Sequence, residues 1–275
     1  MSTPVWAALD AAAAPAVAGI ARRAQRGFDP ARVPLLGVMG AFVFAAQLIN
    51  FPVGVGTSGH LVGGALLSMT LGPAAASVAM TAILAIQALV FQDGGVLALG
   101  ANVINMAILG VWAGYLPFAL WGNTRRRKFA IFAGGALSVA VSAVLALSEL
   151  LLSGVRVPAG ALVISLVLFL ASALLEGAIT LAVLQGLERI QPRLVRQPRA
   201  GWSPALGLLA IAAVLLASVG VLFASQAPDG IERLTRQAAA VPGVWLDQAG
   251  AGLAGLALVY GACLLFGRLA RRRSA

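Results

Sequence analysis

The sequence predicts an all-α polytopic membrane protein, and three observations carry that expectation. Of its 275 residues, 60% are hydrophobic and only 10% charged, against about 25% charged in a soluble domain. The apolar residues fall in long uncharged runs, and about 18 such residues suffice for a spanning helix. Most of the basic residues gather in short clusters between those runs. The alternating segments of an outer-membrane barrel do not occur.

Nine apolar segments follow in order, at roughly 4–21, 34–53, 59–72, 73–92, 97–121, 129–150, 159–184, 204–224 and 250–267. The first opens "MSTPVWAALD" with no basic region before it; Arg22, Arg23 and Arg26 come after it. That order argues against a cleaved signal and for a first helix with its N-terminus outside. The third segment covers only about 21 Å as a helix, so a partial or tilted span is expected. Gly72-Pro73 divides it from the fourth, since proline breaks a helix but suits a first turn.

An outside N-terminus makes the loops 22–33, 122–128 and 185–203 and the tail 268–275 cytoplasmic. They hold Arg22, Arg23, Arg26 and Arg32; Arg125, Arg126, Arg127 and Lys128; Arg189, Arg193, Arg196 and Arg199; and Arg268, Arg271, Arg272 and Arg273. Of the 19 basic residues only Arg156, Arg233 and Arg236 fall elsewhere. One missed span would invert this bias, so nine spans with N-out and C-in are expected. The net charge of +10 is therefore topology rather than a nucleic-acid footprint, and no nucleic-acid partner is expected. The lone Cys263 excludes an intramolecular disulfide and reads as core packing.

The segment "ERIQPRLVRQPRAGWSP" is polar and carries three prolines, as a linker does. It divides a seven-helix core (1–187) and a cytoplasmic linker (188–203) from a two-helix module (204–275), whose outer loop 225–249 contains "APDGIERL". The topology also puts "GVGTSGH" and "FQDGGVLALGAN" on the outer face, flanking helices three to five, where they can meet at one external site.

The chain's only histidine, His60, stands in the first of these stretches. Three readings compete for it: a metal ligand, a catalytic base beside Ser58, or a structural residue at a helix start. The G-x-S-G of an intramembrane serine hydrolase needs its histidine on another helix. Here the only imidazole is two residues from Ser58, where one helical turn points the two side chains apart. The small residues are better explained by a tight turn and close packing. A P-loop is absent, because the sole lysine, Lys128, lies in "RRRKFA"; ATP-driven transport requires another subunit. A single imidazole does not hold a metal tightly without partners. Asp93, Asn102 and Asn105, with Gln47, Asn50 and Gln92, lie where such groups orient an imidazole. Two acids, Asp10 and Glu176, fall within apolar runs. Such acids usually face a bundle interior, and with no evident relay they read as structural hydrogen-bond partners rather than proton carriers.

The strings "RVPLLGVMGAFVFAAQLINFPVGVGTSGHLVGGAL", "LGP" and "QALVFQDGGVLALGANVINMAILG" closely resemble the CbiM/NikM family, the substrate-specific membrane components of energy-coupling-factor transporters for cobalt and nickel. The resemblance covers about residues 4 to 187. The PDGIER stretch, with Pro228, Asp229, Gly230 and Glu232, resembles the PDGLE motif of the small partner component, fused here behind the core. The resemblance implies uptake of Ni2+ or Co2+ across the cytoplasmic (inner) membrane, with no permanently bound cofactor. It implies partners too: an energy-coupling transmembrane subunit and two ABC ATPase subunits, in the lipid bilayer. It also implies a metal held by four nitrogens, from the free amine, the amide and imidazole of a histidine at position two, and a turn histidine that corresponds to His60. Four nitrogens in a plane suit Ni(II), and Co(II) less specifically.

One departure bears on that site. Family members begin Met-His-x-Pro-Asp-Gly-Phe, whereas Ser2 offers no imidazole. The expectation is a true start a few residues upstream. Were Met1 the start, weak or absent metal binding is expected, and a non-transporting accessory protein becomes a competing reading beside the Ser58 hydrolase.

Overall fold

The computed structural model describes residues 1–190 except 28, 50, 55, 56 and 92, together with 211, 214, 215 and 253–265; the side chains of 30 and 51–59 are not described. The fold is helical, with one short hairpin. In chain order the helices are α1 (Thr3–Gly27), α2 (Val33–Gln47), α3 (Gly64–Leu71), α4 (Pro73–Phe91), α5 (Val96–Trp121), α6 (Arg127–Leu152), α7 (Ala159–Ile190) and α8 (Leu253–Leu265). Among the described residues α1, α4, α5, α6 and α7 are long and apolar enough to cross a membrane.

Two expected spans are shorter than drawn. The run 34–53 ceases to be helical after Gln47, and the run 59–72 begins its helix only at Gly64. Between them lies an antiparallel hairpin, β1 (Phe51–Gly54) on β2 (Thr57–Gly59), with Phe51 opposite Gly59 and Pro52 opposite Ser58. "FPVGVGTSG" is apolar enough to extend a helix on hydropathy alone. Its glycines and proline disfavour a helix, and its β-branched residues suit a strand. The helix expected from residue 59 is therefore preceded by a strand that holds Ser58, and no helical turn separates Ser58 from His60.

Helices α4, α5 and α6 lie within about two residues of expectation, whereas α1 runs on to Gly27, through Arg22, Arg23 and Arg26 of the expected loop 22–33. Proline opens α2 and α4 within the first turn, where its missing N–H costs nothing. Helix α7 runs to Ile190, through the first residues of the expected linker. Most of the expected two-helix module lies outside the described residues, including 204–224 apart from 211, 214 and 215 and the loop with Pro228, Asp229, Gly230 and Glu232. Its described helix, α8, packs on α2: Val259 and Cys263 are buried, and a Cβ on Gly37 would lie 2.6 Å from the Tyr260 ring.

At the centre sits α3, only eight residues long and buried along its whole length. It is apolar on every side, as a helix surrounded by others must be. Its two hydroxyls bond within their own turn, Ser68 to the Ala65 carbonyl (2.8 Å) and Thr70 to that of Leu66 (2.9 Å). Around it, α6 meets α7 through glycines. A Cβ on Gly135 would lie 2.8 Å from the Gly177 Cα, and one on Gly177 would lie 2.6 Å from the Phe132 carbonyl. Close backbone approach of this kind drives helix association where lipid supplies no hydrophobic force. Gly63, Gly64, Ala75 and Ala76 are likewise buried inside the bundle, and Ala74 is half-buried.

Candidate functional site

The hairpin leads into an irregular segment, His60 to Gly63, before α3 begins. Leu61, Val62 and Gly63 are buried there. Non-helical backbone at this depth needs partners from within the protein, because neither lipid nor helix satisfies it. Two buried side chains provide them. Glu176, near the middle of α7, accepts the Val62 N–H on one carboxylate oxygen and the Gly63 N–H on the other, each at 2.8 Å. Gln47, the last residue of α2, donates through Nε2 to the Val62 carbonyl at 2.7 Å. Both backbone polar groups of Val62 are thus held, one by α2 and one by α7.

Gly63 makes the turn possible. Its φ of 74° is left-handed, and a Cβ there would come within 2.5 Å of Val43. Only glycine suits both conditions.

The clasp continues to the loop that joins α4 and α5. Gln47 Oε1 accepts from Gln87 Nε2 at 2.8 Å, and the Gln87 carbonyl accepts the Asp93 N–H at 3.0 Å. The segment bearing His60 and the loop bearing Asp93 are therefore joined by three successive hydrogen bonds. Gln87 opens a π-helical turn, Gln87–Phe91, at the end of α4; such turns shift the register of side chains and recur at functional sites.

His60 is half-buried at the entrance to this segment. Its Nδ1 lies 3.0 Å from the Leu61 carbonyl. A carbonyl only accepts, so Nδ1 donates, and in the neutral ring Nε2 carries the lone pair. The imidazole also lies within electrostatic reach of Glu176.

Of the expected supporting residues, Gln47 holds the histidine segment, while Asp93, Asn102 and Asn105 lie elsewhere. Asn102 donates to the Gly94 carbonyl at 3.5 Å and pins the 93–95 loop to α5. Asn105 is buried and donates to Glu149 Oε2 at 3.0 Å, far along the sequence. The Asp93 side chain is exposed. No hydrogen bond joins any of these three to His60, and among the described residues no cluster of three or more His, Cys, Asp or Glu forms a metal cage. The groups that hold the histidine segment are instead Gln47, Gln87 and Glu176. Glu176 shows the structural role expected of a buried acid, and so does Asp10, whose Oδ1 accepts the Gly100 N–H at 2.6 Å. Glu149 is a second buried acid, one that sequence reasoning passed over. It stands just within the end of the drawn span 129–150, and the signal was there to read.

Comparison with known proteins follows the same lines. Residues 1–194 match the family model for the cobalt uptake substrate-specific transmembrane region. A putative fused nickel transport protein of Archaeoglobus fulgidus is 38% identical over 210 residues, which cover 74% of this chain and 69% of that protein. A probable fused nickel transport protein of Lactiplantibacillus plantarum is 39% identical over 118 residues, covering 43% of this chain but only 36% of the relative. A crystal structure of a truncated transition metal transporter superposes with a TM-score of 0.60 at 31% identity, covering 69% of this chain and 95% of that one.

Proposed function

We propose, because this chain belongs to the family of cobalt uptake substrate-specific transmembrane regions, that it is the ion-capturing component of a nickel or cobalt uptake system. The observation that carries the reading is the clasped histidine segment. An irregular stretch fixed at Val62 from α2 and α7 presents one imidazole, with its Nδ1 on the Leu61 carbonyl and, among the described residues, no hydrogen bond at Nε2. A half-buried nitrogen so oriented loses little freedom when an ion arrives, which is what a selective site requires.

His60 is one ligand of the transported ion. The remaining nitrogens come from the N-terminal peptide that the family resemblance implies. The bundle lies in the cytoplasmic membrane with its N-terminus outside, so that the ion meets His60 first. The chain is no enzyme: energy comes from a separate coupling membrane subunit and a pair of ATPases. Residues 204–275 form an accessory two-helix module, and the Asp229 and Glu232 loop stands near the entrance.

The test is accumulation of labelled nickel by cells that express the chain from its natural upstream DNA together with its coupling and ATPase subunits. His60→Ala is expected to reduce uptake to background, while Ser58→Ala leaves it intact. Dependence on Ser58 alone would favour the hydrolase reading.

A further inference from the structure

The basic cluster at 122–128 and the start of the one at 185–203 come together in the structure. The start of α6 and the end of α7 enclose a cavity of about 420 Å³ lined by Arg125, Arg127, Lys128, Gln185, Glu188 and Arg189. That is room for a headgroup rather than a single ion, given about 30 Å³ for each water of the liquid. Topology alone requires only that basic residues lie on one side of the membrane. It does not require them to converge on a concavity.

One cation in the cavity is fixed and three are not. Arg127 donates to the Gly122 carbonyl at 2.6 Å, pairs with Glu188 and lies 4.8 Å from the Phe118 ring centroid. Its buried Nε has no partner. Arg125, Lys128 and Arg189 form no ion pair among the described residues. Glu188 therefore balances one of four positive charges.

Exposed apolar residues adjoin the lining along the chain and form its rim: Phe129 follows Lys128, Ile190 follows Arg189, and Leu120 precedes Trp121. The Trp121 and Phe129 rings pack tilted, with centroids 6.1 Å apart. Tryptophan is a residue of the membrane interface. A soluble anion needs the charge but not the rim, whereas a lipid uses both. The geometry points to a site for the phosphate headgroup of an anionic phospholipid, held by Arg125, Lys128 and Arg189 around the fixed Arg127, with its acyl chains along Leu120 and Phe129. Basic pockets between membrane helices bind anionic headgroups on the same physical grounds.

The test is native mass spectrometry of the full chain in detergent with equal amounts of phosphatidylglycerol and phosphatidylcholine. The unsubstituted chain is expected to retain phosphatidylglycerol in about tenfold excess, and the triple variant Arg125→Gln, Lys128→Gln, Arg189→Gln in about twofold excess or less. Gln185→Glu leaves every cation and the Arg127 ion pair in place while adding an anion to the cavity. It is expected to weaken phosphatidylglycerol retention at least threefold, on the order of one charge contact, and it decides the matter if the triple variant fails to fold. Undiminished retention by Gln185→Glu would overturn the assignment. So would full displacement of the lipid by millimolar inorganic phosphate, which would mark a soluble-anion site.

Discussion

Replacing Glu176 by glutamine keeps the size of the side chain and removes half of its function. The carboxylate offers an acceptor to each of the Val62 and Gly63 N–H groups. An amide offers one oxygen and turns its NH2 toward the other donor. One buried N–H then loses its partner, at a cost of about 1–3 kcal/mol. Glu176→Leu orphans both, for roughly 2–6 kcal/mol. Because this energy holds the segment that carries His60, part of it reappears as weaker ion capture. Groups that orient a ligand typically contribute about 10–100-fold in metal affinity. The assay is nickel titration of the purified protein, made from its natural upstream DNA, beside its thermal unfolding in detergent. Glu176→Gln is expected to lower both the affinity and the unfolding temperature, and Glu176→Leu to lower them further. If Glu176→Gln matches the unsubstituted protein in both, the clasp does not position His60 and the reasoning fails.

Other perturbations test neighbouring parts of the account. Gly63→Ala should destabilise the fold through its left-handed φ, by about 1–2 kcal/mol, and through its collision with Val43. Adding Val43→Ala should recover only the second loss, as read by folded yield on gel filtration. Asn105→Leu should be more damaging than the pair Asn105→Leu, Glu149→Leu, because it leaves the Glu149 carboxylate buried without its donor. Their coupling in thermal unfolding should be about 0.5–3 kcal/mol. Gly177→Val should force α6 from α7, displace Glu176 with it, and abolish folded protein while Gly186→Val, with open space around it, does not.

The helices were legible because a run of apolar residues in a membrane has few alternatives to a helix. The hairpin was not, since hydropathy gives "FPVGVGTSG" the same score whether it folds as helix or strand, and periodicity cannot arbitrate in a run that is apolar throughout. The candidate site divides along the same line. His60 was visible as the sole imidazole in a glycine-rich stretch. Its supports were sought among polar residues close to the outer loops, and Asn102 and Asn105 looked equivalent there. Yet Asn105 lies inside the bundle opposite Glu149, 44 residues away, while Asn102 stays with its own loop. Of the true supports, Gln47 was among the amides singled out and acts across 15 residues, whereas Glu176 acts across 114. Such distances are set by how the helices pack, and no local pattern encodes them. What the sequence did contain was the need for them, since acids and amides inside apolar runs must find partners.

The central claim is that the clasped segment presents His60 as a ligand to the transported ion. It is tested most directly by nickel titration of the chain expressed from its natural upstream DNA, with and without His60→Ala. The account predicts that the substitution weakens nickel binding by at least about 100-fold, while Asn102→Ala changes it by less than about threefold, as expected of a lost ligand and of a remote loop contact. Equal nickel affinity with and without His60 would contradict it.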